Sequence, residues 1–97
     1  MLTTHSFIPW LVQEAHRVAQ QTRNGGDAPG YLWAVAVETL DWLRRLPDED
    51  REQSLQALKQ CIDTRGASAG ITIPTDRHEA KCLVRLLRYV YDPPPVL

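Results

Sequence analysis

The segment from Tyr31 to Leu46, YLWAVAVETLDWLRRL, carries more apolar side chains than one buried helix face needs. One set of them recurs at the three- and four-residue spacing of a helix, which predicts a buried stripe. The stripe consists of Leu32, Val35, Ala36, Thr39, Leu40, Leu43 and Leu46. Trp33, Val37 and Trp42 lie off it and add apolar surface elsewhere on the helix. Such a helix either lies at the centre of a bundle or shares its surface with a second chain.

One further helix is predicted before this segment and another directly after it. The first runs from about Phe7 to Arg23, with Ser6 as its N-cap and Pro9 in the first turn, where a missing N–H is tolerated. Pro47 ends the helix that begins at Tyr31, because the residue before a proline is disfavoured in the helical region. A helix over residues 48–64 follows at once. Its apolar stripe is thin, so we expect it at the periphery of the fold.

The last helix is predicted from about Asp76 to Tyr91, with Thr75 as its N-cap. Its inward face is expected to consist of Ala80, Leu83, Val84, Leu87, Val90 and Tyr91. Residues 65–74 break the helical pattern, and we expect an extended linker that tucks Ile71 and Ile73 into the core; pairing of this segment across a dimer is the alternative.

These elements predict an all-α fold, a small four-helix bundle-like domain with an extended linker (residues 65–74) before the last helix. The domain is expected to span residues 1–97, and residues 92–97 are expected to form a Pro-rich C-terminal tail in the polyproline II conformation. A hydrophobic content of 43% and a charged content of 24% are ordinary for a globular chain and argue against disorder.

The charges nearly balance, with eleven basic and twelve acidic side chains and a net charge of −1. A compact nucleic-acid binder usually carries a basic surplus, so the composition disfavours that class. Residues 38–63 are acidic and residues 64–97 are mildly basic, and we expect these zones to complement one another within the fold or a dimer. Neither a signal peptide nor a membrane-spanning run is recognisable, which indicates a cytoplasmic protein.

Residues suited to catalysis or metal binding are few. His78 and Cys82 stand four residues apart on the last helix, but zinc sites usually need four ligands in recognisable pairs. Adding Glu79 completes the residue list of a nucleophilic site, yet no elbow or oxyanion loop frames it. We therefore expect no enzymatic activity, no metal and no cofactor. Cys61 and Cys82 are expected to be reduced and partly buried thiols, with a single disulfide as the alternative.

Basic residues recur along the last helix at spacings of four, four and three, which places them on one exposed stripe. This candidate nucleic-acid-binding row consists of Arg77, Lys81, Arg85 and Arg88. Such a row is able to contact phosphates, and a dimer would double it. An ordinary solvated helix face has the same pattern, however, and Asp76 and Glu79 dilute its start. No clear helix-turn-helix spacing accompanies it.

Tryptophan content favours a protein partner, because tryptophan is enriched at interface hot spots. The candidate partner-binding residues are Trp33, Val37, Trp42 and Trp10. The competing interpretation is that the tryptophans simply fill the core. We expect a non-enzymatic regulatory, adaptor or inhibitor-type protein, of the scale of bacterial accessory proteins, that binds protein and forms a homodimer through the helix from Tyr31 to Leu46. A small dimeric nucleic-acid-binding regulator is the alternative.

Overall fold

The computed structural model describes residues 2–95, which contain four α-helices: α1 (Phe7–Gln21), α2 (Ala28–Arg45), α3 (Asp48–Asp63) and α4 (Arg77–Tyr91). A single turn of 3-10 helix, Ala67–Ala69, lies between α3 and α4. The described part of the chain holds no strand, so the predicted all-α class is confirmed. Of the predicted C-terminal tail, residues 96 and 97 lie outside the described residues.

Capping by aspartate explains where two helices begin. Helix α2 starts three residues before the predicted Tyr31, because the Asp27 carboxylate accepts a hydrogen bond from the Gly30 amide at 3.0 Å and Pro29 occupies the first turn. Helix α4 is capped by Asp76, whose carboxylate accepts from the Glu79 amide at 3.0 Å. The prediction of Thr75 as its N-cap is therefore wrong by one residue.

Ser6 is the N-cap residue of α1 by position, as predicted, but its hydroxyl caps no helix amide. The Ser6 hydroxyl instead contacts the Thr3 hydroxyl at 2.8 Å and accepts from the Thr3 amide at 3.0 Å. The Thr3 carbonyl in turn accepts the Phe7 amide at 3.0 Å. A turn over residues 3–6 thus provides the acceptor for the first amide of this helix.

Helix α4 is the central element, because it packs against α1, α2 and α3. Helices α1 and α4 run antiparallel, as shown by the contact between Thr22 near the end of α1 and His78 near the start of α4. Helix α2 packs mainly on α1 and α4 and touches α3 far less. The central position that we considered for the segment Tyr31 to Leu46 is therefore occupied by α4.

The buried face of α4 differs from the predicted one. Cys82 and Leu86 are buried, whereas Val84 and Tyr91, both predicted to face inward, are each 39% exposed. Three helices pack against α4, so a wide part of its circumference is buried. The buried part faces mainly α1 and α2, and Val84 lies in the gap beside α3. The core is formed by buried side chains from all four helices, including Phe7, Leu11, Val18, Leu32, Val35, Leu43, Leu58, Leu83, Leu86, Leu87 and Val90.

The linker between α3 and α4 holds its two isoleucines partly buried against the core, in agreement with the prediction. It begins with a tight turn at Gly66 and the 3-10 turn, and residues 71–74 then run without regular secondary structure.

Among the helices of residues 2–95, none has both the length and the apolar character needed to cross a membrane.

Candidate binding face on the last helix

The four basic residues predicted to form a row share one exposed face of α4. Arg77, Lys81, Arg85 and Arg88 are all exposed, and the eleven-residue interval from first to last corresponds to about 16 Å along the helix axis. Within residues 2–95 none of the four forms an ion pair. We call these residues, together with the exposed Val84 among them, the α4 face. Its charge is therefore not neutralised by contacts within the described chain.

The acidic residues at the start of α4 point toward α1 and not toward this face. The Glu79 carboxylate lies 2.9 Å from Nδ1 of His16 and accepts from the amide of Gln20 at 2.8 Å. Asp76 lies 3.4 Å from the Arg23 guanidinium. The bond from the Glu79 amide, followed by Arg23, holds the pKa of Asp76 below its ordinary value. Both carboxylates are thus engaged in the α1–α4 seam, so they do not dilute the basic row as its sequence suggested.

A shallow surface depression of about 700 Å³ lies over the α4 face. Val84, 39% exposed, lies in it among the basic side chains. Tyr89 borders it on the side of α2, where its ring meets Trp33 edge-on with 5.6 Å between centroids. The depression therefore combines several positive charges with an exposed aliphatic group and an aromatic margin.

The four candidate partner-binding residues do not form one surface. Trp33 and Val37 are one turn apart on α2, and Val37 is 46% exposed. Trp42 follows Trp33 by nine residues, about two and a half turns, and therefore lies on the opposite side of α2. There its ring contacts Phe7 of α1 at 5.3 Å between centroids. Trp10 is partly buried against the core. Only Trp33 and Val37 lie on one side of the helix.

His78 has a structural partner. Its Nε2 lies 2.9 Å from the hydroxyl of Thr22 and 4.0 Å from the sulfur of Cys82. The Thr22 hydroxyl also lies 2.8 Å from the carbonyl of Val18, to which it donates. His78 therefore joins the start of α4 to the end of α1.

Both cysteines are free and buried, so no disulfide joins Cys61 to Cys82. Burial raises the pKa of each thiol above its ordinary value, which keeps both sulfurs protonated and weakly nucleophilic at neutral pH. Over the described range 2–95, no three His, Cys, Asp or Glu side chains are grouped in a way that would hold a metal ion.

Sequence reasoning found the basic row but missed two neighbours of it. Periodicity predicts Val84 in the core, but its exposure depends on how the other helices pack around α4, which periodicity does not report. Arg65 was not singled out either, although it lines a cavity beside the row together with Arg88. Comparison with known proteins adds no assignment, since no family model, curated protein or solved structure matches this chain.

Proposed function

We propose that this chain is a small, non-enzymatic binding module that recognises an acidic protein partner through the α4 face, and that it acts in the cytoplasm as a regulator, adaptor or inhibitor. The observation that carries the proposal is the row of four basic side chains around the exposed Val84, which form no ion pair with any of the described residues. Protein interfaces commonly surround an apolar contact with a polar rim and are enriched in arginine and aromatic residues, and Tyr89 and Trp33 lie next to this face.

The spacing of the charges favours a helical partner segment. Lys81 and Arg85 are one turn apart, as are Arg77 and Lys81, so a partner helix with carboxylates at the same spacing would pair with them in register. Charge complementarity of this kind mainly raises the association rate and fixes orientation, while contact with Val84 would add apolar burial. Exposed pairs contribute little individually, so several must act together.

A nucleic acid fits the α4 face less well. The chain as a whole has no basic surplus, with eleven basic and twelve acidic side chains, whereas a compact nucleic-acid binder usually has one. The aromatic margin is also engaged, because Trp33 packs against the ring of Tyr89 and reduces its availability for base stacking. We therefore favour protein and treat nucleic acid as an outcome of the test.

The test compares two charge reversals that change the net charge equally. Lys81→Glu alters the α4 face, whereas Lys59→Glu alters an exposed residue of α3 outside that face. Each variant and the wild type would be used for affinity capture from a nuclease-treated host lysate. The proposal predicts a protein retained by the wild type and by Lys59→Glu but lost by Lys81→Glu.

Two results would count against this function. Equal retention by both variants would show that the α4 face does not make the contact. The nucleic-acid alternative would be supported if the wild type captured no protein from the nuclease-treated lysate and bound purified DNA or RNA with an affinity that falls steeply as salt rises.

We also propose that two copies of the chain associate through α2. The support is the exposed Val37, which lies with Ala34 and Leu40 in a shallow depression one turn beyond Trp33. Light scattering should give a dimer mass for the wild type and a monomer mass for a folded Val37→Asp variant. A wild-type monomer at high concentration would rule this dimer out, and a Val37→Asp dimer would place the interface elsewhere.

A further inference from the structure

A cavity of about 290 Å³ lies at the junction of α3, the linker and α4. Buried Cys61 and Leu87 and partly buried Ile62 and Ile73 form apolar walls, and Val84 lies at its edge. Two exposed guanidinium groups, those of Arg65 and Arg88, complete the lining. No carboxylate of the described residues lines this cavity or forms an ion pair with either arginine.

Arg65 adopts a left-handed backbone conformation, with φ of 53°, and it is the single non-glycine residue of the described chain to do so. It follows the C-cap of α3 in a Schellman motif, in which the Gly66 amide donates to the Cys61 carbonyl at 2.8 Å and the Arg65 amide to the Ile62 carbonyl at 3.2 Å. Glycine is the usual residue at this position, because the left-handed region penalises side chains with a Cβ.

An arginine at position 65 is therefore unfavourable for this backbone conformation, and its presence there requires another explanation. A positive charge near a helix C-terminus offsets part of the strain. The place of the side chain supplies a stronger reason, since Arg65 lines the same apolar cavity as a second arginine, Arg88. Strain of this kind is concentrated at functional sites.

We propose that this cavity binds an aliphatic monocarboxylate, with the chain among the apolar walls and the carboxylate between Arg65 and Arg88. Guanidinium groups match carboxylates through paired, charge-assisted hydrogen bonds. The volume corresponds to roughly ten non-hydrogen atoms at about 30 Å³ each, which is the size of octanoate. Small-molecule sites commonly combine apolar walls with a few polar groups in this way.

The test uses octanoate as the probe and follows backbone amide signals by NMR. Octanoate should shift the signals of Cys61, Ile73 and Leu87 in a saturable way. Acetate, which has the head group without the chain, and octylamine, which has the chain with the opposite charge, should not. Equal shifts with either control, or no shift with octanoate, would overturn the proposal.

Arg65→Gly separates binding from folding, since glycine suits the left-handed conformation. The variant should keep or raise the melting temperature while its affinity for octanoate falls about two- to fivefold, as expected when one exposed charged contact is lost. Arg77→Gln, which removes one charge from the α4 face outside the cavity, should bind octanoate like the wild type. Unchanged affinity in Arg65→Gly would refute the site. Arg88 and Val84 belong both to this cavity and to the α4 face, but Arg65 lines only the cavity. Loss of octanoate binding in Arg65→Gly therefore tests the cavity and not the protein partner proposed above.

Discussion

Gly66 is the residue at which substitution should damage this fold most for the smallest change in side chain. Its φ is 91°, and a Cβ added there would lie 2.7 Å from Cγ1 of Ile71 and 2.7 Å from the Ile71 carbonyl oxygen. The Ile71 backbone cannot retreat freely, because its amide donates to the Gly66 carbonyl at 3.0 Å. The Gly66 amide meanwhile donates to Cys61 at 2.8 Å. Gly66→Ala must therefore break a hydrogen-bonded turn or displace Ile71 from the core.

Two terms set the size of the effect. The left-handed conformation disfavours alanine by about 1–2 kcal/mol. Forcing a methyl group into closely packed surroundings adds about 1–3 kcal/mol. We therefore expect Gly66→Ala to lower the free energy of unfolding by about 2–5 kcal/mol, a large part of the roughly 5–15 kcal/mol typical of a whole domain.

Gly70 provides the matched control. It also has a positive φ, 70°, but a Cβ there would meet no atom within 4 Å. Gly70→Ala should therefore lose only the conformational term, about 1–2 kcal/mol, and the reduced entropy of the unfolded chain affects both variants alike. Urea unfolding followed by circular dichroism would measure both. If Gly66→Ala is destabilised no more than Gly70→Ala, the steric contact with Ile71 does not constrain the turn and the reasoning fails.

Three further predictions concern α4 and the thiols. Because the folded-state pKa of Asp76 is lowered, its charge stabilises the fold above its ordinary pKa of 3.8, and this contribution disappears as the pH falls through the folded pKa. Asp76→Asn should thus lower the melting temperature at neutral pH, and the difference from the wild type should shrink as the pH falls below 3.8; a difference that stays constant over this pH range would contradict the prediction. Leu86→Ala should cost about 2–5 kcal/mol in urea unfolding and Val84→Ala less than about 0.5 kcal/mol, whereas equal losses would mean that Val84 is buried. Cys61 and Cys82 should react with iodoacetamide far more slowly in the folded protein than in urea, and rapid labelling of either in the folded state would show that burial does not protect it.

The helices were predictable because local signals mark them. Asn24 and the two glycines after it end the first helical pattern, and Pro47 separates α2 from α3. The start of α4 is harder to predict, since Thr75 and Asp76 are equally able to cap a helix by residue type. Which one does so depends on backbone geometry. The start of α2 is hidden because the glycines and the proline between Asn24 and Tyr31 are typical of a loop. At both places an aspartate supplies the cap.

The buried face of α4 was harder to predict because apolar residues occupy most of its circumference. Leu83, Val84, Leu86 and Leu87 are nearly consecutive, so several faces satisfy the helical spacing equally well. Periodicity identifies an apolar stripe correctly when one neighbour covers the helix. Helix α4 has three neighbours, and its exposed residues are those that lie in the gap between these neighbours.

The candidate site also combines a property that is set by local sequence with one that is set by tertiary packing. The spacing of Arg77, Lys81, Arg85 and Arg88 is a local property, so the sequence predicted that they share a face. Whether that face is neutralised is a tertiary property, because it depends on where the neighbouring carboxylates point. Helix α1 draws the side chains of Asp76 and Glu79 away from the row. A solvated helix face and a charged binding face therefore look alike in sequence, whereas the packing of α1 shows which carboxylates are held away from the basic row.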